Sequence, residues 1–93
     1  MNEEAKKYSI NLANIDKPWE LFTDLKIAGV MGEEHGDNLD ALYDVLTAIS
    51  EPTELIFSGL DDLESEMRDY LGALRQVCEE AESENPFFSV SYD

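Results

Sequence analysis

Gly36-Asp37-Asn38-Leu39-Asp40-Ala41-Leu42-Tyr43-Asp44 is the stretch from which the fold can be read, because it opens a helix with leucine on one side and acid on the other. At helical spacing Leu39, Leu42, Leu46 and Ile49 share a stripe, with Val45 beside them, and predict a face turned to a hydrophobic core. Asp37, Asp40, Asp44 and Thr47 share another. Asp40 and Asp44 stand one turn apart, where a like-charge pair costs an isolated helix about 0.2 to 0.5 kcal/mol. Near the first turn the helix dipole offsets part of that cost, and Asp37 or Asn38 can cap free backbone N–H groups. Asp44 lies too far along for either benefit. The face is either a solvated acidic surface or one built for a basic partner.

Working outward, residues 28–37 read as a loop of about ten residues, freed by Gly29 and Gly32, and loops of that length tend to be functional or mobile. It brings Glu33, Glu34 and His35 to the start of the acidic helix. Before it, Asp16 can cap a helix that admits Pro18 in its first turn and runs to about Ile27, with Trp19, Leu21, Phe22 and Leu25 on its apolar side. Trp19 and Phe22 are expected in the core. Tyr8, Ile10 and Leu12 alternate with Ser9 and Asn11, which predicts a strand over 7–12 with one covered face.

Downstream, the acidic helix runs to about Ser50 and Pro52 stops it; Leu55-Ile56-Phe57 then reads as a buried central strand. A short helix over 60–69 with Leu63 and Met67 inward is expected next. A second follows over 70–81, where Tyr70, Leu71, Leu74, Val77, Cys78 and Ala81 keep helical spacing. After Pro86, Phe88, Val90 and Tyr92 alternate with Ser89 and Ser91 as a third strand. Strands separated by helices imply parallel pairing, and right-handed crossovers put every helix on one face. The expectation is therefore a single α/β domain over 1–93: two layers, a three-stranded parallel sheet in order 1-2-3, and about four helices.

Acids outnumber Lys and Arg by 22 to 6, for a net charge of −16, yet 43% apolar and 10% aromatic residues are too many for a disordered acidic tail. Such charge repels nucleic-acid phosphates and anionic membranes, so neither is an expected partner. The distribution is uneven: between Lys26 and Arg68 lie eleven acids and no Lys or Arg. A lone Cys78 on an apolar stripe is expected to be a reduced, buried thiol. No apolar run is long enough for a signal peptide or a membrane span, which makes the cytoplasm the expected compartment.

The order strand, helix, loop, then Gly36-x-Asn38-Leu39-Asp40-Ala41-Leu42-Tyr43-Asp44, resembles the barstar family of ribonuclease inhibitors. The match is strongest from Gly36 to Thr47, and Gln76-Val77-Cys78-Glu79-Glu80-Ala81 is similar to the family's last helix. The resemblance implies a two-layer fold and an acidic helix laid, with its preceding loop, across a ribonuclease active site. It would set Asp40 and Asp44 against the basic residues that hold RNA phosphate, with Gly36, Asn38, Leu39, Tyr43 and Thr47 around them and Glu80 contributed by the last helix. Glu34 and His35 stand where the family carries aromatic residues, and complete the set of partner-facing residues. The implied partner is a basic ribonuclease or ribonuclease toxin in a 1:1 complex with a protein that is monomeric when free; no cofactor or metal is expected.

Two other classes remain open on the sequence. Catalysis would have to use Glu33, Glu34 and His35 beside Asp37 and Asp40, a group whose spacing fits no zinc or calcium pattern and has no nucleophile near it. An acidic adaptor or nucleic-acid mimic would use the charge without this particular loop and helix.

Overall fold

The alternation of apolar residues becomes three parallel strands in the computed structural model, which describes residues 5–93. They are β1 (Lys6–Asn11), β2 (Thr53–Ser58) and β3 (Phe88–Tyr92), in the order β1-β2-β3. Their register aligns Tyr8 with Leu55 and Val90, and Ile10 with Phe57 and Tyr92. Those rows face the core. The opposite row of Ser9, Ile56 and Ser91 is exposed or half-buried, and Ser91 Oγ donates to Glu54 Oε2 there at 2.9 Å. One covered face and one wet face put the helices on a single side, as the serine pattern predicts.

Three α-helices, not about four, make the second layer: α1 (Pro18–Ala28), α2 (Leu39–Thr47) and α3 (Ser65–Glu84). The helices expected over 60–69 and 70–81 are one continuous element from Ser65. Gly72 between Met67 and Leu74 costs the helix only about 1 kcal/mol and does not end it, and Met67, Leu74, Cys78 and Ala81 form one buried stripe. Only Leu60–Asp62 is separate, as a short 3-10 turn; another such turn at Leu12–Asn14 follows β1. Gly59, at φ 71°, leads into the later turn, and a Cβ there would meet the Ala13 backbone nitrogen at 2.7 Å.

Other boundaries shift for local reasons. α1 starts at Pro18, and the free N–H groups before it are taken by Glu20 Oε1, which accepts from Asp16 (2.7 Å) and Lys17 (3.0 Å); Asp16 is not the cap. Phe22 is buried as expected, but Trp19 is 61% exposed. The buried stripe of α1 is Leu21, Phe22 and Leu25, and at 3.6 residues per turn Trp19 lies roughly 110° around from its centre, on the outward side with Ile27 (78% exposed). β2 is longer than its apolar centre, because Thr53 also faces inward.

Cys78 is a free, fully buried thiol on α3, matching its place on the stripe. Burial, assisted by Glu79 and Glu82, pushes its pKa up to about 12, so the thiolate is not formed at neutral pH. Tyr92 stacks on Phe57 at 5.9 Å beneath the guanidinium of Arg75, 4.4 Å from its ring.

Candidate protein-binding site

The loop before α2 is fastened at three points. α1 ends on Gly29 in the left-handed region (φ 95°), where Val30 N–H donates back to the Leu25 carbonyl at 2.9 Å. Met31 then plugs into the core. Residues Gly32 to His35 form a turn closed twice: His35 N–H donates to Gly32 O at 3.1 Å, and Gly32 N–H donates to His35 Nδ1 at 2.8 Å. Asp37 is tied to Lys26 of α1 by an ion pair of 2.7 Å, with the Lys26 side chain only 14% exposed.

That pair corrects the sequence grouping of Asp37 with Asp40, Asp44 and Thr47. Asp37 precedes the helix, and its charge is matched within the molecule. Asn38 is the cap, its Oδ1 accepting from Ala41 N–H at 2.8 Å. Gly36 lies close beside it, and a Cβ there would press on Asn38 Nδ2 at 2.8 Å.

From this cap α2 runs to Thr47 rather than Ser50. Thr47 Oγ1 folds back onto the carbonyls of Tyr43 (2.8 Å) and Asp44 (3.3 Å), and Ala48 forms the C-cap. Just beyond, Asn85 Nδ2 donates to the carbonyls of Leu46 and Ile49, both at 2.9 Å. Asn85 is 5% exposed, and its Oδ1 accepts from Phe87 N–H at 2.9 Å, so one buried amide joins the end of α2 to the approach to β3. Sequence reasoning missed it. Asn85-Pro86 signals only a turn, and a carbonyl almost forty residues away leaves no local mark.

Leu42 and Leu46 are fully buried, and each is worth about 1.5 to 3 kcal/mol of burial. That outweighs the repulsion between Asp40 and Asp44, whose side chains lie outward in water. Asp40 sits in the first turn, where the dipole favours it. Asp44 sits in the second half with no basic residue in the last turn. Among the described residues neither has an ion-pair or hydrogen-bonded side-chain partner. Five of the six Lys and Arg residues are engaged elsewhere: Lys6 with Glu51 (3.0 Å), Lys17 with Glu66 (3.1 Å), Lys26 with Asp37, Arg68 on the Leu63 carbonyl and Arg75 over Tyr92; Lys7 is exposed on β1. The contacts of Lys6 and Lys17 hold their pKa values above the ordinary one, chiefly through the carboxylate hydrogen bond.

The structure thus gathers Asn38, Leu39, Asp40, Tyr43, Asp44 and Thr47 on one short helix and its cap, with Glu34, His35 and Gly36 in the loop leading into it. Leu39, Tyr43 and Thr47 are half-buried; Tyr43 and Leu39 pack against the core. Glu80 is exposed on α3, the helix packed on α2. A cavity of about 250 Å³ between Val30, Ile49 and Phe88 has the Lys6–Glu51 pair at its rim. Among the described residues no helix is long and apolar enough to cross a membrane.

Among curated proteins, none matches this sequence. The family model described as Barstar (barnase inhibitor) matches residues 5–91, nearly the whole chain, and the protein belongs to that family.

Proposed function

We propose that this protein inhibits a barnase-type ribonuclease, or a related ribonuclease toxin, by setting Asp40 and Asp44 into the enzyme's cationic cleft. It acts as a single-domain, non-catalytic partner in a 1:1 complex, monomeric when free, in the cytoplasm of the cell that must be protected. The observation that carries this reading is the contrast at the start of α2: Asp37 is neutralised by Lys26, whereas Asp40 and Asp44, one turn apart on a helix anchored in the core, have no counter-charge among the described residues.

A ribonuclease must concentrate positive charge to hold phosphate and stabilise its transition state, and that charge equally attracts carboxylates. Two carboxylates on a helix pinned by Leu42, Leu46 and Asn85 lose little conformational freedom on docking. Gly36, Asn38, Leu39, Tyr43 and Thr47 surround them, Glu34 and His35 border the loop side, and Glu80 adds an acid from α3. The wider negative surface steers a basic enzyme toward this face, an effect that salt weakens.

Inhibition of barnase-type ribonucleases by the purified protein tests the proposal. Asp44→Ala is expected to raise the dissociation rate, because truncating one member of a buried charge pair costs about 2 to 5 kcal/mol, a range to which the barnase–barstar pair itself contributes. Glu33→Ala, an exposed acid at the rim, should mainly slow association. A general acidic mimic of nucleic acid would barely notice Asp40→Asn combined with Asp44→Asn, and equal small effects from Asp44 and Glu33 would reject the buried anchor.

A further inference from the structure

We propose that His35 is a positioning residue that keeps the loop in its docking shape only while its imidazole is uncharged. Its consequence for binding rests on the inhibitory role proposed above, whereas the loop's own response does not.

The Gly32–His35 turn is closed by a backbone bond and by the Gly32 N–H bond to Nδ1. An imidazole nitrogen accepts a hydrogen bond only through its lone pair, so Nδ1 is bare here and the hydrogen of the neutral ring sits on Nε2. Protonation puts a hydrogen on Nδ1, pointing at the Gly32 N–H, and that bond must open. A replacement partner stands ready: Glu34 Oε2 is 3.8 Å from the same nitrogen, and its carboxylate overlies Gly32 so closely that a Cβ there would collide with it. One nitrogen therefore has two mutually exclusive partners, the Gly32 amide when neutral and the Glu34 carboxylate when charged.

The other charges around the loop are Glu33 within the turn, Lys26 of α1 with its partner Asp37, and Asp40 and Asp44 on α2. For a loop facing a cationic cleft, protonation has two effects of the same sign. It introduces a like charge at the interface, and it releases a turn that then has to be reordered on binding. Docking is accordingly tight at pH 8 and weaker at pH 5.5.

His35→Asn supplies the control, since an asparagine Oδ1 can accept the Gly32 N–H at similar reach and does not titrate. In the free protein, a through-hydrogen-bond ¹⁵N–¹⁵N coupling between Gly32 N and His35 Nδ1 should be present at pH 8 and vanish as the ring titrates. A coupling that persists at pH 5.5, or is missing at pH 8, overturns the proposal. In the inhibition assay with barnase, the loss of affinity from pH 8 to pH 5.5 should be about tenfold greater for the unsubstituted protein than for His35→Asn, the ratio cancelling the enzyme's own titration. Equal losses also overturn it. If neither protein inhibits at pH 8, barnase itself is ruled out as the target, and the coupling alone decides the behaviour of the loop.

Discussion

Helices α2 and α3 both carry acids on their outward faces and use them differently. On α3, Glu66 pairs with Lys17 and Glu82 Oε2 accepts from Val90 N–H of β3 at 3.0 Å, so acids there fasten one element to another. On α2, Asp40 and Asp44 fasten nothing among the described residues, although the helix itself is held firmly by two buried leucines and by Asn85. The lesson concerns what marks an interaction surface. Net charge does not separate the two helices, nor does an unbonded acid taken singly, since Asp69, Glu79, Glu80 and Glu84 of α3 also lack a side-chain partner among the described residues; α2 differs in that neither of its two acids is engaged.

The comparison can be broken most severely at the amide that holds α2 against the rest. Asn85→Ala strands the carbonyls of Leu46 and Ile49 and the N–H of Phe87, and is expected to lower stability by about 2 to 4 kcal/mol, read as a fall in the urea midpoint. A fall below about 0.5 kcal/mol would mean that α2 is held by its leucines alone. Alkaline pH sharpens the comparison from the inner face of α3. Because burial raises Cys78 from 9.0 to about 12, the unfolded chain releases the thiol proton first, the folded state binds more protons, and stability falls as pH rises from 9 toward 12. By pH 11 this should amount to about 3 kcal/mol, seen as a steeper alkaline loss than in Cys78→Ala, which lacks the thiol. The smallest effect compares one acid from each helix: Glu82→Ala should lose about 1 kcal/mol with its bond to β3, whereas Asp44→Ala should lose none and gain up to about 0.5 kcal/mol as repulsion is relieved. Equal destabilisation by the two would erase the distinction.

Much of the fold was legible because it follows from short-range periodicity. Ser9, Ser89 and Ser91 alternating with apolar residues showed the wet face of the sheet, and the strand order came from connections too long for hairpins. Periodicity also put Asn38, Asp40, Asp44 and Thr47 on one element. It misplaced Trp19, whose apolar chemistry says nothing of its angle around α1, and it divided α3, which continues through Gly72. The Lys26–Asp37 pair, the double closure of the Gly32–His35 turn and the reach of Asn85 were not legible at all. Each depends on which side chain meets which backbone atom after folding, and several residue types at each position would leave the pattern unchanged.

Since α2 lies inside the long connection that carries the chain from β1 to β2, whatever clasps it also clamps the two strands on either side. A bound partner would act as a splint for the whole sheet: at a free concentration one hundred times its Kd it adds about 2.7 kcal/mol to the resistance against unfolding. The protein should therefore be toughest, and slowest to be degraded, in the company of the partner proposed above.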